Sequence, residues 1–176
     1  MMEATDSGRS RTVRAEIAAG PGIALRAITD DDLPHLRQVY AETRREELAP
    51  VLWTEEQKAT FLTAQFEAQH AYYTSYYPAA EFLVIELAGL PAGRFYVNRS
   101  PHDIRIVDVA VLPEYRGMGI GSVLLEALIG ESEGSGVAIT IHVERNNPAL
   151  GWYDRNGFRV VEDKGVYLFM RRDVAS

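Results

Sequence analysis

Cysteine is missing altogether from the 176 residues, which excludes a disulfide framework, a thiolate zinc site and a cysteine nucleophile. Positive charge is scarce: 18 Lys and Arg against 25 Asp and Glu leave a net charge of -7. There is no general basic field to attract phosphate backbones, so nucleic acid is not the expected partner, whereas a small cationic amine is drawn in readily. Long hydrophobic runs are also lacking. Glu126 interrupts the most apolar helical segment well short of spanning length, and Met1 to Arg14 carries no apolar core of a secretion signal. A cytoplasmic protein that does not engage a membrane is the expectation, and no metal site is expected. No internal repeat or low-complexity tract appears.

What is present fits one domain long enough to bury most of its apolar surface. Residues 1–20 mix Ser, Gly, Arg and Ala without a period and read as a flexible arm, with room for an extra strand around Thr12 to Ile17. Residues 21–176 read as the folded domain, introduced by Pro21-Gly22. Ile23 to Ile28 is a first strand, and Thr29 to Asp32 offers acceptors to the free amides of a helix start, with Pro34 in its first turn. That helix should run to about Leu48. Thr54-Glu55-Glu56-Gln57 is a capping box opening a second helix through Leu62, Phe66, Tyr73 and Tyr77.

Strands are expected at Glu81 to Leu87, Arg94 to Asn98 after a turn over Ala88 to Gly93, and Ile104 to Leu112. A helix over Gly119 to Ile129 buries Leu124, Leu125 and Leu128, with Gly130 near its end. A strand over Val137 to Val143, a short helix over Asn147 to Arg155, and a hairpin of Phe158 to Val161 with Val166 to Met170 close the chain.

The segment from Val107 to Gly121 is a strand, a turn and three glycines at spacing two where a helix begins. Glycines let backbone approach a ligand, and the first amides of a helix lack internal partners and lie at the positive end of its dipole. An anion such as a pyrophosphate suits that place. A dinucleotide fingerprint would need a third glycine where Ser122 stands, and no Gly-Lys-Ser/Thr of a Walker loop exists. On this segment alone, a merely structural tight turn is the competing reading.

A second segment follows: Asn146 beyond a strand, Tyr153 seven residues on, and Gly157-Phe158 four beyond that. Arg116-x-x-Gly119-x-Gly121 followed by this segment resembles the GCN5-related N-acetyltransferase (GNAT) superfamily, specifically from Val107 to Phe158 and in element order from Ile23 to Arg171. The resemblance implies a single α/β domain with a mixed, mostly antiparallel sheet of six or seven strands, about four flanking helices and a splayed parallel pair. It implies acetyl-coenzyme A as acyl donor, its pyrophosphate on Arg116, Gly117, Met118, Gly119, Ile120, Gly121 and Ser122, its pantetheine arm along Val109, Ala110 and Val111, and a contact from Asn146. Tyr153 matches the general acid. A phenol with a pKa of about 10 is protonated at neutral pH and can assist a thiolate of about 8.5.

For the base, Asp108 is the first candidate, with His142, Glu144 or solvent in reserve. The expected acceptor is a primary amine of a small molecule or a protein, acetylated by direct attack without a covalent enzyme intermediate. The aromatics of the second helix, Phe61, Phe66, His70, Tyr72, Tyr73, Tyr76 and Tyr77, could wall its pocket, form core, or make a homodimer face. Arg44 to Glu47 reads as a solvated helix end. Two alternatives stay open: a different acyl donor or a hydroxyl acceptor, and a non-catalytic acyl-coenzyme A sensor or assembly module.

Overall fold

The computed structural model describes residues 22–176; the arm and the strand expected around Thr12 lie outside them. β1 (Ile23–Ala27) is followed by a 3-10 turn (Asp30–Asp32), α1 (Leu33–Thr43), α2 (Arg45–Leu48) and α3 (Glu55–Tyr76). Then come β2 (Glu81–Leu87), β3 (Leu90–Arg99), β4 (Asp103–Val111), a 3-10 turn (Pro113–Tyr115), α4 (Ile120–Ser135), β5 (Ala138–Glu144), α5 (Leu150–Arg155), β6 (Arg159–Asp163) and β7 (Tyr167–Arg172). The seven strands form one sheet in the order β1-β2-β3-β4-β5-β7-β6, antiparallel throughout except for the β4–β5 pair. This is the expected mixed sheet, with five α-helices rather than four.

Alternation along the central strands sends side chains to two layers. Phe95 and Val97 join Ile120, Leu124, Leu125 and Leu128 of α4 and Ile139, Ile141 and Val143 of β5 in the main core. On the other face a smaller cluster joins Leu36 and Tyr40 of α1 to Phe66 of α3. The capping box at α3 forms as read: Gln57 N donates to Thr54 Oγ1 at 3.1 Å and Thr54 N to Gln57 Oε1 at 2.9 Å.

Several boundaries differ from the sequence reading, three of them with a visible physical cause. The first helix breaks at Arg44, leaving a separate turn of helix up to Leu48. The β2–β3 connection needs only Ala88 and Gly89, whose φ values of 51° and 78° close a two-residue hairpin. Strand β3 therefore starts at Leu90, and the register shift opposite Ile85 and Glu86 accommodates Pro91. Helix α4 continues past Gly130 and Gly134 because the buried stripe carries on through Leu128 to Ser132. It ends at Gly136, whose φ of 72° supplies the left-handed cap. Among the described residues no helix is long and apolar enough to cross a membrane.

Gly93 fixes the approach of β3 to β4. A Cβ built there would lie 2.2 Å from the carbonyl oxygen of Ala110 and 3.0 Å from the Cα of Val111. Both obstacles are backbone, so the strands themselves would have to part. Gly93→Ala is expected to cost about 3 kcal/mol of stability, read as a lowered urea midpoint with an unchanged slope.

Candidate active site

The parallel pairing of β4 with β5 lasts only from Asp103 opposite Ala138 to Ile106 opposite Ile141. On its other side, β4 pairs Ile106 with Val97 and Asp108 with Tyr96, so Val107 is an extra residue, a bulge that bends the strand. Beyond it Asp108 to Val111 stay paired to β3 but have no partner on the β5 side. A cleft of about 800 Å³ opens there, bounded by Val109, Ala110 and Val111, the start of α4 at Gly121, and Asn146, Trp152 and Tyr153.

At one end of the cleft the glycine turn enters α4. Gly117 and Gly119 have φ values of 73° and 81°, the left-handed region where a side chain is strained. A Cβ at either would touch nothing within 4 Å, so conformation, not crowding within the chain, demands glycine. Gly121 differs: a Cβ there would only make ordinary contact with the Trp152 ring at 3.8 Å. The first intrahelical bond runs from Val123 N to Gly119 O, which leaves the amides of Ile120, Gly121 and Ser122 without helical partners. Arg116 folds back to donate from Nε to the Val111 carbonyl at 3.0 Å, and Met118 is exposed. Such a concavity of outward amides, at a dipole's positive end beside an arginine, can hold a phosphate group.

At the other end lies a pocket of about 210 Å³ that shares Val109, Ala110 and Tyr153 with the cleft and reaches α3 at Tyr73. Tyr153 therefore stands where the two spaces meet. It is 5 % exposed, edge-on to Phe158, with ring centroids 5.4 Å apart. Among the described residues its hydroxyl has no protein hydrogen-bond partner. Burial, with the charge of Asp108 adding to it, pushes the phenol up to about 12, so it stays protonated.

Asp108 is on the pocket wall as expected, but not as a free carboxylate. Its Oδ1 accepts from Arg94 Nε at 3.2 Å, and its Oδ2 from Arg94 Nη2 at 2.9 Å and Tyr73 Oη at 3.0 Å. Arg94 is 2 % exposed, packs over the rings of Tyr40 and Tyr96, and also donates to Gln69 Oε1 at 2.9 Å. Burial and the neighbouring Asp108 charge push the Tyr73 phenol well above its usual range, so it too remains a donor.

The reserve bases are also engaged. Glu144 Oε1 accepts from Arg44 Nη1 at 3.0 Å. His142 Nδ1 lies 2.9 Å from Arg105 Nη1, an arrangement that places the neutral ring's proton on Nε2. Burial, then the charge of Arg105, holds this imidazole below its ordinary value. Among the described residues no group of His, Asp and Glu side chains is gathered to hold a metal ion.

Every coenzyme-contact residue expected from the sequence borders the cleft or belongs to the turn at its end, with Asn146 exposed on its rim. The α3 aromatics divide: Phe66 is core, His70 stacks on it at 5.5 Å, and Tyr72 and Tyr76 are exposed and stacked on each other. Phe61 leans on Trp53, and Tyr73 faces the pocket. The Arg44 to Glu47 reading is corrected, because Arg44 crosses to Glu144 and lines the pocket. Sequence reasoning passed over Arg94. Its signal was an arginine amid the apolar run of a central strand, where a charge persists only if paired.

Residues 78–160 match the family described as Acetyltransferase (GNAT) domain. A Bacillus subtilis (strain 168) protein, provisionally named a ribosomal protein bS18 alanine N-acetyltransferase, is 33 % identical over 85 residues, which are 47 % of this chain and 56 % of the relative. A Drosophila melanogaster protein provisionally named N-acetyltransferase san is 35 % identical over 65 residues, 35 % of each chain. The chain thus spans about half the length of the first curated relative and about a third of the second. The solved structure of the PaiA N-acetyltransferase from Thermoplasma acidophilum in complex with coenzyme A superposes with a TM-score of 0.64, covering 86 % of this chain and 98 % of that one at 20 % identity. Residues 78–160 therefore carry a match to the acetyltransferase (GNAT) domain, and the described chain is similar in fold to that Thermoplasma acidophilum structure.

Proposed function

We propose that this protein binds acetyl-coenzyme A in the splayed cleft and transfers the acetyl group directly to an amine. The observation that carries the reading is the unpartnered Tyr153 hydroxyl at the junction of a cleft ending in free helix amides and a separate polar pocket. Support comes from the two curated relatives, named for N-acetyl transfer, and from the coenzyme A held by the Thermoplasma acidophilum protein.

The amides of Gly117 to Ser122 and the Arg116 guanidinium would hold the pyrophosphate. The open β4 edge at Val109 to Val111 would pair with the amides of the pantetheine arm as an added strand does, with Asn146 at the rim. The coenzyme supplies the thioester carbonyl; the chain supplies position and a proton donor. As the amine nitrogen bonds to that carbonyl and the C–S bond breaks, Tyr153 gives its proton to the departing sulfur. The proton shed by nitrogen restores the phenol, so the products are the amide and a neutral thiol. The raised phenol makes Tyr153 a poor spontaneous acid but a secure donor, since it does not ionise at working pH.

Asp108, His142 and Glu144 each lie on the pocket wall. Because arginine donors occupy all three, we assign proton removal before attack to solvent. Asp108 then serves to hold Tyr73 rather than to take a proton.

Tyr153→Phe is expected to lower kcat by about 100-fold or more while the KM for acetyl-coenzyme A stays within about twofold, in a thiol-release assay. In the unaltered protein kcat should show no alkaline fall from this phenol up to about pH 10, since a phenol at about 12 still carries its proton there. Gly119→Val should raise the coenzyme KM at least tenfold, because the left-handed conformation costs a side-chain-bearing residue about 1–2 kcal/mol and the turn must reshape. Coenzyme binding without thiol release for any amine would leave a sensor as the reading; no coenzyme binding would remove the proposal.

A further inference from the structure

Resting on the proposed function, the electrostatics of the smaller pocket narrow the acceptor. Two carboxylates face it, and both are already neutralised: Asp108 by the buried Arg94 and Glu144 by Arg44. Arg105, beside His142, donates to Thr140 Oγ1 at 2.6 Å and pairs with Asp103 at 3.5 Å. The surroundings therefore hold as many fixed cations as anions, and no carboxylate is left to receive a second ammonium. What remains is neutral: the phenols of Tyr73, Tyr153 and Tyr167 together with Thr43, Gln69 and Asn147.

Within this pocket Tyr73 has a constrained polarity. Its proton is committed to Asp108 Oδ2 at 3.0 Å, so its oxygen can only accept from anything that enters. A phenol that donates to a carboxylate is a strengthened acceptor. The carboxylate itself cannot swing away, because a guanidinium only 2 % exposed grips both its oxygens. The Tyr73 ring is braced edge-on against Tyr96, centroids 6.1 Å apart. A neutral amine about to attack has an N–H to donate and needs its lone pair free, and an anchored phenol oxygen meets the first need without consuming the lone pair.

We infer that the smaller pocket is the acceptor subsite, that the Tyr73 oxygen accepts the hydrogen bond from the attacking amino group, and that the pocket admits a primary amine carrying no second positive charge. Asp108 and Arg94 are positioning residues that act through Tyr73. Tyr153, where the pocket meets the cleft, is left to the departing sulfur.

The test is thiol release from saturating acetyl-coenzyme A by the full chain, with 2-phenylethylamine as the singly charged probe and spermidine as the multiply charged one. The expected result is a kcat/KM at least tenfold higher for 2-phenylethylamine. Tyr73→Phe should raise the KM for that amine at least tenfold with the KM for acetyl-coenzyme A unchanged, a split that a loss of folding does not produce. Asp108→Asn should shift the amine KM in the same direction; if it fails to fold, Tyr73→Phe decides. Spermidine used equally well or better, or an unchanged amine KM in Tyr73→Phe, would overturn the inference. Neither amine acetylated, with acetyl-coenzyme A still bound, would overturn it and leave the coenzyme site standing. Failure of the unaltered protein to bind acetyl-coenzyme A would overturn the proposed function and this inference together.

Discussion

A parallel strand pair that stops pairing after Ile106 and Ile141 exposes a row of backbone donors and acceptors in the middle of a sheet. Such a gap persists only where something holds the strands apart. Here the bulge at Val107 turns β4 while β3 keeps its grip on the strand out to Val111. Gly93 permits the close β3–β4 approach that this grip requires. The rest follows from that geometry. The gap makes the cleft, the cleft leads to the start of α4, and the loop after β5 brings α5 and its Tyr153 across the opening. A sheet paired to its ends would have presented the same residues with nowhere for a ligand to lie.

Arginine organises the electrostatics on the opposite face. Arg94 in β3, Arg44 between α1 and α2, and Arg105 in β4 each reach a group that would otherwise be a free base or a free anion. Neutralisation of this kind separates the roles of the tyrosines. Tyr73 spends its proton on a carboxylate and presents only an acceptor, whereas Tyr153 has no protein partner among the described residues and presents a donor. Two phenols lining one pocket thereby acquire opposite polarity, which suits an attacking nitrogen at one and a leaving sulfur at the other.

The parts legible in the sequence are those written locally. The spacing of Gly117, Gly119 and Gly121 at a strand-to-helix junction, the Asn146-to-Tyr153-to-Gly157 interval and the Thr54 to Gln57 box each specify their conformations within a few residues. Glycine is a less dependable guide elsewhere: Gly130 reads as an ending, yet α4 runs through it because its buried stripe continues to Ser132. The Ala88-Gly89 turn looked longer than it is because Pro91 suggested a break that a register shift absorbs. The pocket itself was illegible for a physical reason. Tyr73, Arg94 and Asp108 come from α3, β3 and β4, and the Arg44–Glu144 pair is separated by 100 residues. Contacts made by the sheet's lateral order leave no local pattern, so Asp108 could be located in the sequence but its occupied state could not.

The most direct test of the account is backbone amide exchange measured with and without coenzyme A. The account predicts new protection confined to two segments, the Gly117 to Ser122 turn and those alternate amides between Asp108 and Val111 that face away from β3, because among the described residues these have no partner and gain one from pyrophosphate and pantetheine. Protection absent from both segments while the coenzyme binds elsewhere would contradict the claim that the splayed strands and the glycine turn form the donor site.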